Sequence, residues 1–433
     1  LKKMESKKES KRETDRETDR ESERESERET ERESADVNVG GGGEASGNDK
    51  NINYENIISE SFEDLNLKES ILRGVYGYGY EKPSAIQKKA ILPVINGRDI
   101  IAQAQSGTGK TATFSISVLQ NIDENMTETQ AIILCHTREL ALQVQTVIQN
   151  LAKYMSIIFN LSVGGTMVQD NISELLKNPQ VVIGTPGRVL DMINKKALNT
   201  RYLKMLIIDE ADEMLSKIFS NQIYDIFRFL PNNIQVGLFS ATMTEEFFKL
   251  TKCFMRNPVT ILVKNEELTL EGIKQYYINL EKTEFKFSTL CDIYETCSVN
   301  QTMIYCNSRK IVDELYNNLT QSNFAVAYIH GDMTQGERNH IMEEFRSGNS
   351  RVLISTDLLS RGIDIQQISL VVNYDIPNNI ECYIHRIGRS GRYGRKGTAI
   401  NFVTNYDIKK MSEIERYYAT QIDELPSNYG ELI

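Results

Sequence analysis

The chain has 433 residues, 40% of them hydrophobic and 25% charged, a balance that suits a globular protein of two or three domains. A formal net charge of −10 excludes nucleic-acid binding by bulk positive charge, so any such contact has to come from local placement of Arg, Lys and backbone N–H groups. No apolar run approaches the roughly 18 residues of a membrane span, and a start charged from its first residues is not a secretory signal. The six cysteines form no CxxC pair and only four histidines are present, which argues against a zinc site and for reduced thiols in a cytosolic or nuclear protein.

Residues 1–36 repeat a four-residue unit (RETD, RETD, RESE, RESE, RETE) and hold 11 basic and 14 acidic residues with almost nothing apolar. Such a segment has no core to offset chain entropy and is expected to be disordered or transiently helical. Leu1 is not the usual initiator, and Met4 is the first methionine. Gly40 to Gly43 reads as a flexible linker, which closes a tail over 1–50. From about residue 54 short apolar runs alternate with amphipathic stretches. The runs are DIIAQA (99–104), AIILCH (131–136), QVVIGT (180–185), KMLIID (204–209) and QVGLFS (235–240). Between them lie segments such as RELALQVQTVIQNLAKYM (138–155). The pattern restarts near residue 273 with IKQYYINL, TMIYCN, AVAYIHG, RVLISTD, SLVVNYD and TAINFV. Continuous apolar strands alternating with helices predict parallel sheets covered on both faces. Two tandem doubly wound α/β domains follow, 51–260 and 273–433, joined by the charged stretch 261–272. Ligands belong at the carboxyl ends of their strands.

One run has the setting of a phosphate-cradling loop. Ser106, Gly107, Thr108, Gly109, Lys110 and Thr111 follow a predicted strand and open a predicted helix. The glycines let backbone N–H groups turn inward, the helix N-terminus adds positive potential, Lys110 reaches phosphate, and Thr111 offers a hydroxyl to Mg²⁺. Ala104 stands where the usual pattern has its first glycine. The run 204–209 ends in Asp209, an Mg²⁺ ligand by position, followed by Glu210, placed to orient or deprotonate water.

Asp209-Glu210-Ala211-Asp212 spells the signature of the DEAD-box RNA helicases, and from about residue 54 to 433 the chain resembles that family in a dozen ordered motifs. The resemblance implies two RecA-like domains, ATP and Mg²⁺ as cofactors, and RNA as substrate. It assigns adenine reading to Phe62, Tyr80 and Gln87, the ribose to Asp364 beside Gly362, and the γ-phosphate to Arg389 and Arg392 from the second domain. Asp212, Ser240, Thr242 and His385 take the coupling of ATP state to domain movement, with the hydroxyls bonded to Asp212. Single-stranded RNA falls to Thr137, Arg138, Gly164, Gly165, Thr185, Pro186, Gly187 and Arg188 in the first domain. In the second it falls to Asn307, Gly331, Asp332, Gln335, Arg338, Ser355, Thr356 and Asp357. Backbone N–H groups, hydroxyls and Arg suit sequence-blind phosphate contact, and Asp332 suits a ribose 2′-OH.

Within the family the resemblance favours the translation-initiation branch. That implies mRNA as the target, a HEAT-repeat initiation scaffold as partner, a cytoplasmic monomer and no membrane. An ATP-gated RNA clamp of the exon-junction type, which would place the chain in the nucleus, and a ribosome-assembly helicase are the alternatives. His136 stands where the family has Pro before Thr137, which loosens a backbone restraint beside an RNA contact.

Overall fold

The computed structural model describes residues 59–431 apart from 105–106, 217–218, 244, 253, 263–272, 297–300, 358–367, 391–396 and 427–428. The charged tail, and most of the stretch assigned to the junction, lie outside the described residues, as do Ser106, Gly362, Asp364 and Arg392. All described residues belong to one compact unit, Asn53–Ile433.

Two seven-stranded sheets carry the fold. The first is built from β1 (Ile100–Gln103), β2 (Ala131–Leu134), β3 (Phe159–Ser162), β4 (Val181–Gly184), β5 (Met205–Asp209), β6 (Gln235–Ser240) and β7 (Val259–Leu262), in the order β3-β4-β2-β5-β6-β1-β7. The second holds β8 (Ile273–Leu280), β9 (Thr302–Tyr305), β10 (Ala327–Ile329), β11 (Val352–Ser355), β12 (Leu370–Asn373), β13 (Gly397–Thr404) and β14 (Asp423–Glu424), in the order β10-β11-β9-β12-β13-β8-β14. Every strand pairing is parallel.

The two-residue period of a strand divides each apolar run between two cores. In β2, Ala131 and Ile133 join the cluster that also takes Phe114, Val144 and Ile148 from two helices. Ile132 and Leu134 point the other way, to the cluster of Val189, Met192 and Ile226. In the second sheet Ile304 and Val372 pack on one side, Met303 and Val371 on the other. Because both faces are covered by helices, the carboxyl edge of each sheet is where loops converge.

The strands at both rims of the first sheet, β3 and β7, were not expected from the sequence, nor was β14. Phe159–Ser162 alternates half-buried and buried residues rather than forming an apolar run, as befits a strand with one neighbour. β7 runs two residues into the stretch assigned to the junction. The helix expected over 138–155 ends at Leu151, where Ala152 caps it.

Candidate active site

The phosphate loop begins at the end of β1 and runs into the helix Lys110–Asn121. Gly109, the residue capping that helix, has φ 103°, a left-handed backbone that side chains rarely adopt. A Cβ there would lie 2.6 Å from Gln87 Nε2, so glycine is required both by conformation and by space. Gln87 is buried and sits in the third position of the helix Ala85–Ile95. Its Oε1 accepts from Ser84 N–H at 2.8 Å and its Nε2 donates to the Gly109 carbonyl at 3.4 Å. The residue expected to read adenine thus also clamps the loop that holds phosphate. Gly107, Thr108, Lys110 and Thr111 line a cavity of about 260 Å³ together with Tyr78, Tyr80 and Gln87. Tyr78 was missed from the sequence; its ring lies 5.1 Å from that of Tyr80, and the alternating aromatics of GYGYEKP were the available signal. Phe62 is fully buried in the core cluster of the first domain. An aromatic ring gains more from that burial than from a wet cleft.

Asp209 and Glu210 close the far wall. Both are 2% exposed. Burial first, and then the Glu210 carboxylate, push the Asp209 pKa up to about 7, against the downward pull of Lys110. Glu210 has φ 48°, a left-handed conformation that costs a non-glycine residue roughly 1–3 kcal/mol and that clusters at functional positions. Its Oε2 lies 3.7 Å from Lys110 Nζ. That ammonium is 6% exposed and makes no hydrogen bond. A buried cation without a hydrogen-bond acceptor next to two buried acids fits a missing anionic ligand and its counter-cation. Hard carboxylate and hydroxyl oxygens from Asp209 and Thr111 suit Mg²⁺.

A carboxyl whose folded pKa exceeds its unfolded value binds protons more tightly when folded. The stability it confers is therefore complete below the ordinary aspartate value of 3.8 and is lost as pH rises through about 7. Asp209→Asn is accordingly expected to raise the Tm of the ligand-free protein at pH 8 by at least ~2 °C while removing ATP turnover. Thermal melts of both proteins at pH 5 and pH 8 check this, and a gain as large at pH 5 contradicts it.

The second domain meets the acidic turn of this site at Asp212. Asp212 Oδ2 accepts from the Thr242 hydroxyl at 2.6 Å and lies 3.3 Å from His385 Nε2. His385 sits in the helix Ile380–Ile387 of the second domain and is buried. Ser240 differs from expectation, since its hydroxyl donates to the Thr242 carbonyl at 2.7 Å instead of to Asp212. Arg389 follows the same helix. Its Nε donates to the His385 carbonyl at 3.1 Å, and the side chain is 1% exposed.

The positions assigned to RNA lie at or just beyond strand carboxyl ends, except Gln335 and Arg338 in the first turns of the helix Gln335–Arg346, and their side chains divide. Thr137 caps the helix Arg138–Leu151 by accepting from Leu140 N–H, and Thr185 with Pro186 opens the helix Pro186–Asn194. A Cβ on Gly187 would only touch the Gln222 side chain, at 3.5 Å. The Arg138 guanidinium lies where a Cβ on Gly165 would be, at 2.0 Å, and Gly164 beside it is open. Gly331 is open as well. Arg188 is buried and donates to the Thr166 hydroxyl, the Thr166 carbonyl and Asn171 Oδ1, each at 2.8 Å. It holds the loop that carries Gly164 and Gly165 rather than facing outward. The side chains of Asn307 and Asp357 are likewise taken, both by Arg386. Ser355 is buried with its hydroxyl on the Thr356 carbonyl, which leaves Thr356 as the half-exposed member of that turn. Asp332 pairs with Arg309 on the surface. Gln335 and Arg338 turn instead to Glu139 of the first domain, at 3.3 and 3.1 Å. Asp375, a charged side chain just beyond a strand end, is a further residue that sequence reasoning passed over.

Comparison with known proteins gives the class. Residues 84–250 match the DEAD/DEAH box helicase model and residues 285–394 the helicase conserved C-terminal domain. The chain belongs to the DEAD-box helicase family. Within it, the chain is 58% identical over 389 residues to the ATP-dependent RNA helicase eIF4A of Meyerozyma guilliermondii, covering 90% of this chain and 98% of that protein. It is 56% identical over 398 residues to eukaryotic initiation factor 4A of Caenorhabditis elegans, covering 92% and 98%. Among solved structures, Saccharomyces cerevisiae Dbp5 bound to RNA and ADP BeF3 is similar with a TM-score of 0.80 at 36% identity, over 86% of this chain and 97% of that one. Two tandem RecA-like domains are therefore the fold. No helix among the described residues is long and apolar enough to cross a membrane.

Proposed function

We propose that the chain is an ATP-dependent RNA helicase of the initiation factor 4A type, which binds single-stranded RNA and locally unwinds short mRNA duplexes for ribosome recruitment. The observation that carries this reading is the cross-domain contact of His385 with Asp212, 3.3 Å, which joins the acidic turn after β5 to the helix that runs into Arg389. ATP occupies the cavity of Lys110 and Gln87, with the base against Tyr80 and Tyr78. Lys110 neutralises phosphate, and Asp209 with Thr111 would hold Mg²⁺, which would supply positive charge against the phosphates. Glu210 orients and deprotonates the attacking water. Arg389 and Arg392 approach the γ-phosphate from the second domain, and Asp364 beside Gly362 binds the ribose, so turnover requires the domains to close. Backbone groups of Gly164, Gly165, Gly187 and Gly331, with Arg138, Thr356 and Asp332, hold the RNA strand. The bound path bends the strand, which a duplex cannot follow.

In this reading the protein acts as a cytoplasmic monomer with a HEAT-repeat scaffold as its partner, and 56–58% identity to initiation factor 4A favours it over the exon-junction clamp. ATPase rate against RNA concentration, with single-stranded DNA as control, tests the activity. Saturable stimulation by RNA alone is expected, and equal stimulation by DNA contradicts it. Capture from a lysate of the initiation scaffold rather than splicing-complex subunits tests the branch.

A further inference from the structure

One buried cation of the second domain has no part in the mechanism above. Lys286, in the helix Phe285–Thr296, is 4% exposed. Its Nζ donates to Asp375 Oδ1 at 2.8 Å and to the Tyr374 carbonyl at 2.7 Å. The other carboxylate oxygen of Asp375 accepts the backbone N–H of Asn307 at 3.0 Å, and the Asp375 carbonyl accepts from Arg386 Nη1 at 2.7 Å. Arg386, itself fully buried, grips Asp357 with two hydrogen bonds of 2.6 and 2.9 Å and donates to Asn307 Oδ1 at 2.8 Å. Lys286, Asp375, Arg386 and Asp357 are therefore linked in a row, in which Lys286 pairs with the Asp375 carboxylate, and Arg386 joins the Asp375 backbone carbonyl to the Asp357 carboxylate. The row ties together the carboxyl ends of β9, β11 and β12, where Asn307, Thr356 and Asp375 lie, and the helix that carries His385.

We propose that Lys286 is a positioning residue for RNA, setting the RNA-facing edge of the second domain through Asp375 without touching the strand itself. This rests on the helicase reading. Charge balance gives the reason. Asp375 is only 14% exposed in its side chain, and without the ammonium its carboxylate is left under-compensated in a poorly solvated place. Arg386 is the nearest cation already bonded to that residue. It is drawn toward the Asp375 carboxylate and away from Asp357 and Asn307. Two of the three strand ends then lose the restraint that fixes their backbone N–H groups. Those groups are what a sequence-blind RNA site presents, whereas the cavity around Lys110 and Gln87 is lined by residues of the first domain.

The test is steady-state ATPase of the full chain with a single-stranded oligoribonucleotide. Lys286→Met is expected to raise the KM for RNA at least about tenfold, with the RNA-free rate and the KM for ATP unchanged. Lys286→Arg should restore most of the RNA affinity. The double variant Lys286→Met with Asp375→Asn, which removes both charges, should recover part of what the single variant loses, since the two residues couple. An unchanged KM for RNA in a folded Lys286→Met protein overturns the proposal. So does a parallel loss in the KM for ATP and the RNA-free rate, which marks general structural damage. Should Lys286→Met fail to fold, Asp375→Asn alone decides, since it weakens the same link to Asn307, and an unchanged KM for RNA again overturns the idea. If the parent protein shows no stimulation by RNA, the failure lies with the helicase reading itself.

Discussion

Replacing Glu210 with glutamine is expected to lower RNA-stimulated ATP turnover by a factor of about 10² to 10⁴, the usual contribution of a positioned general base, while ATP and RNA still bind. The two side chains have the same size, so the left-handed backbone at φ 48° and the packing of a residue 2% exposed are both retained. The loss is not traceable to the cation site either. Glu210 is one of the charges that raise the Asp209 pKa to about 7, burial being the larger. Its neutralisation lets Asp209 ionise at lower pH and so hold Mg²⁺ at least as well. What disappears is the carboxylate that accepts the proton of water. Single-turnover hydrolysis should slow as much as the steady state, and the variant should stay on RNA longer in the presence of ATP. Turnover within about threefold of the parent would remove Glu210 from the chemistry.

The sequence made the interior strands plain and hid the rims for a physical reason. A strand flanked on both sides and covered on both faces has to be apolar throughout, and Val181–Gly184 and Met205–Asp209 are buried at every position. Phe159–Ser162 has a single neighbouring strand and keeps Asn160 buried by bonding Glu174, so its apolar signal is halved. The same logic divides the site. Lys110, Gly109, Asp209 and Glu210 were legible because phosphate and cation chemistry demands those residue types at a strand end. The fate of Arg188, Asn307, Asp357, Gln335 and Arg338 was not, because a polar residue at a strand end suits a ligand or a neighbouring loop equally well. Only the tertiary fold decides which partner lies within 3 Å. Arg386 shows the point most clearly. It stands between His385 and Ile387, and it is among the largest fully buried side chains of the described residues. Two carboxylate bonds, three carbonyl-type acceptors and the face of Tyr305, 5.3 Å away, surround it.

Arg389→Ala is expected to have the other large effect, a fall in turnover of about 10³ or more, in the range of arginine fingers elsewhere. The guanidinium lies one helical turn beyond His385, whose ring meets Asp212 at 3.3 Å, so the side chain rides on the segment that reaches the ATP-binding half. Its Nε is committed to the His385 carbonyl at 3.1 Å, which orients the terminal nitrogens without using them on that bond. A charge delivered from the opposite domain acts only once the cleft has closed, so the loss should fall on kcat, with the KM for ATP nearly unchanged. Lysine restores the charge but not the planar fork, and Arg389→Lys should recover only a small part of the rate. Measuring kcat and the KM for ATP at saturating RNA for the parent and both variants separates this from a loss of folding, which lowers the active fraction and leaves KM alone, provided active sites are counted by nucleotide binding. A rate per active site within tenfold of the parent would mean that the γ-phosphate is stabilised by the first domain alone. Closure would then have no hold over hydrolysis.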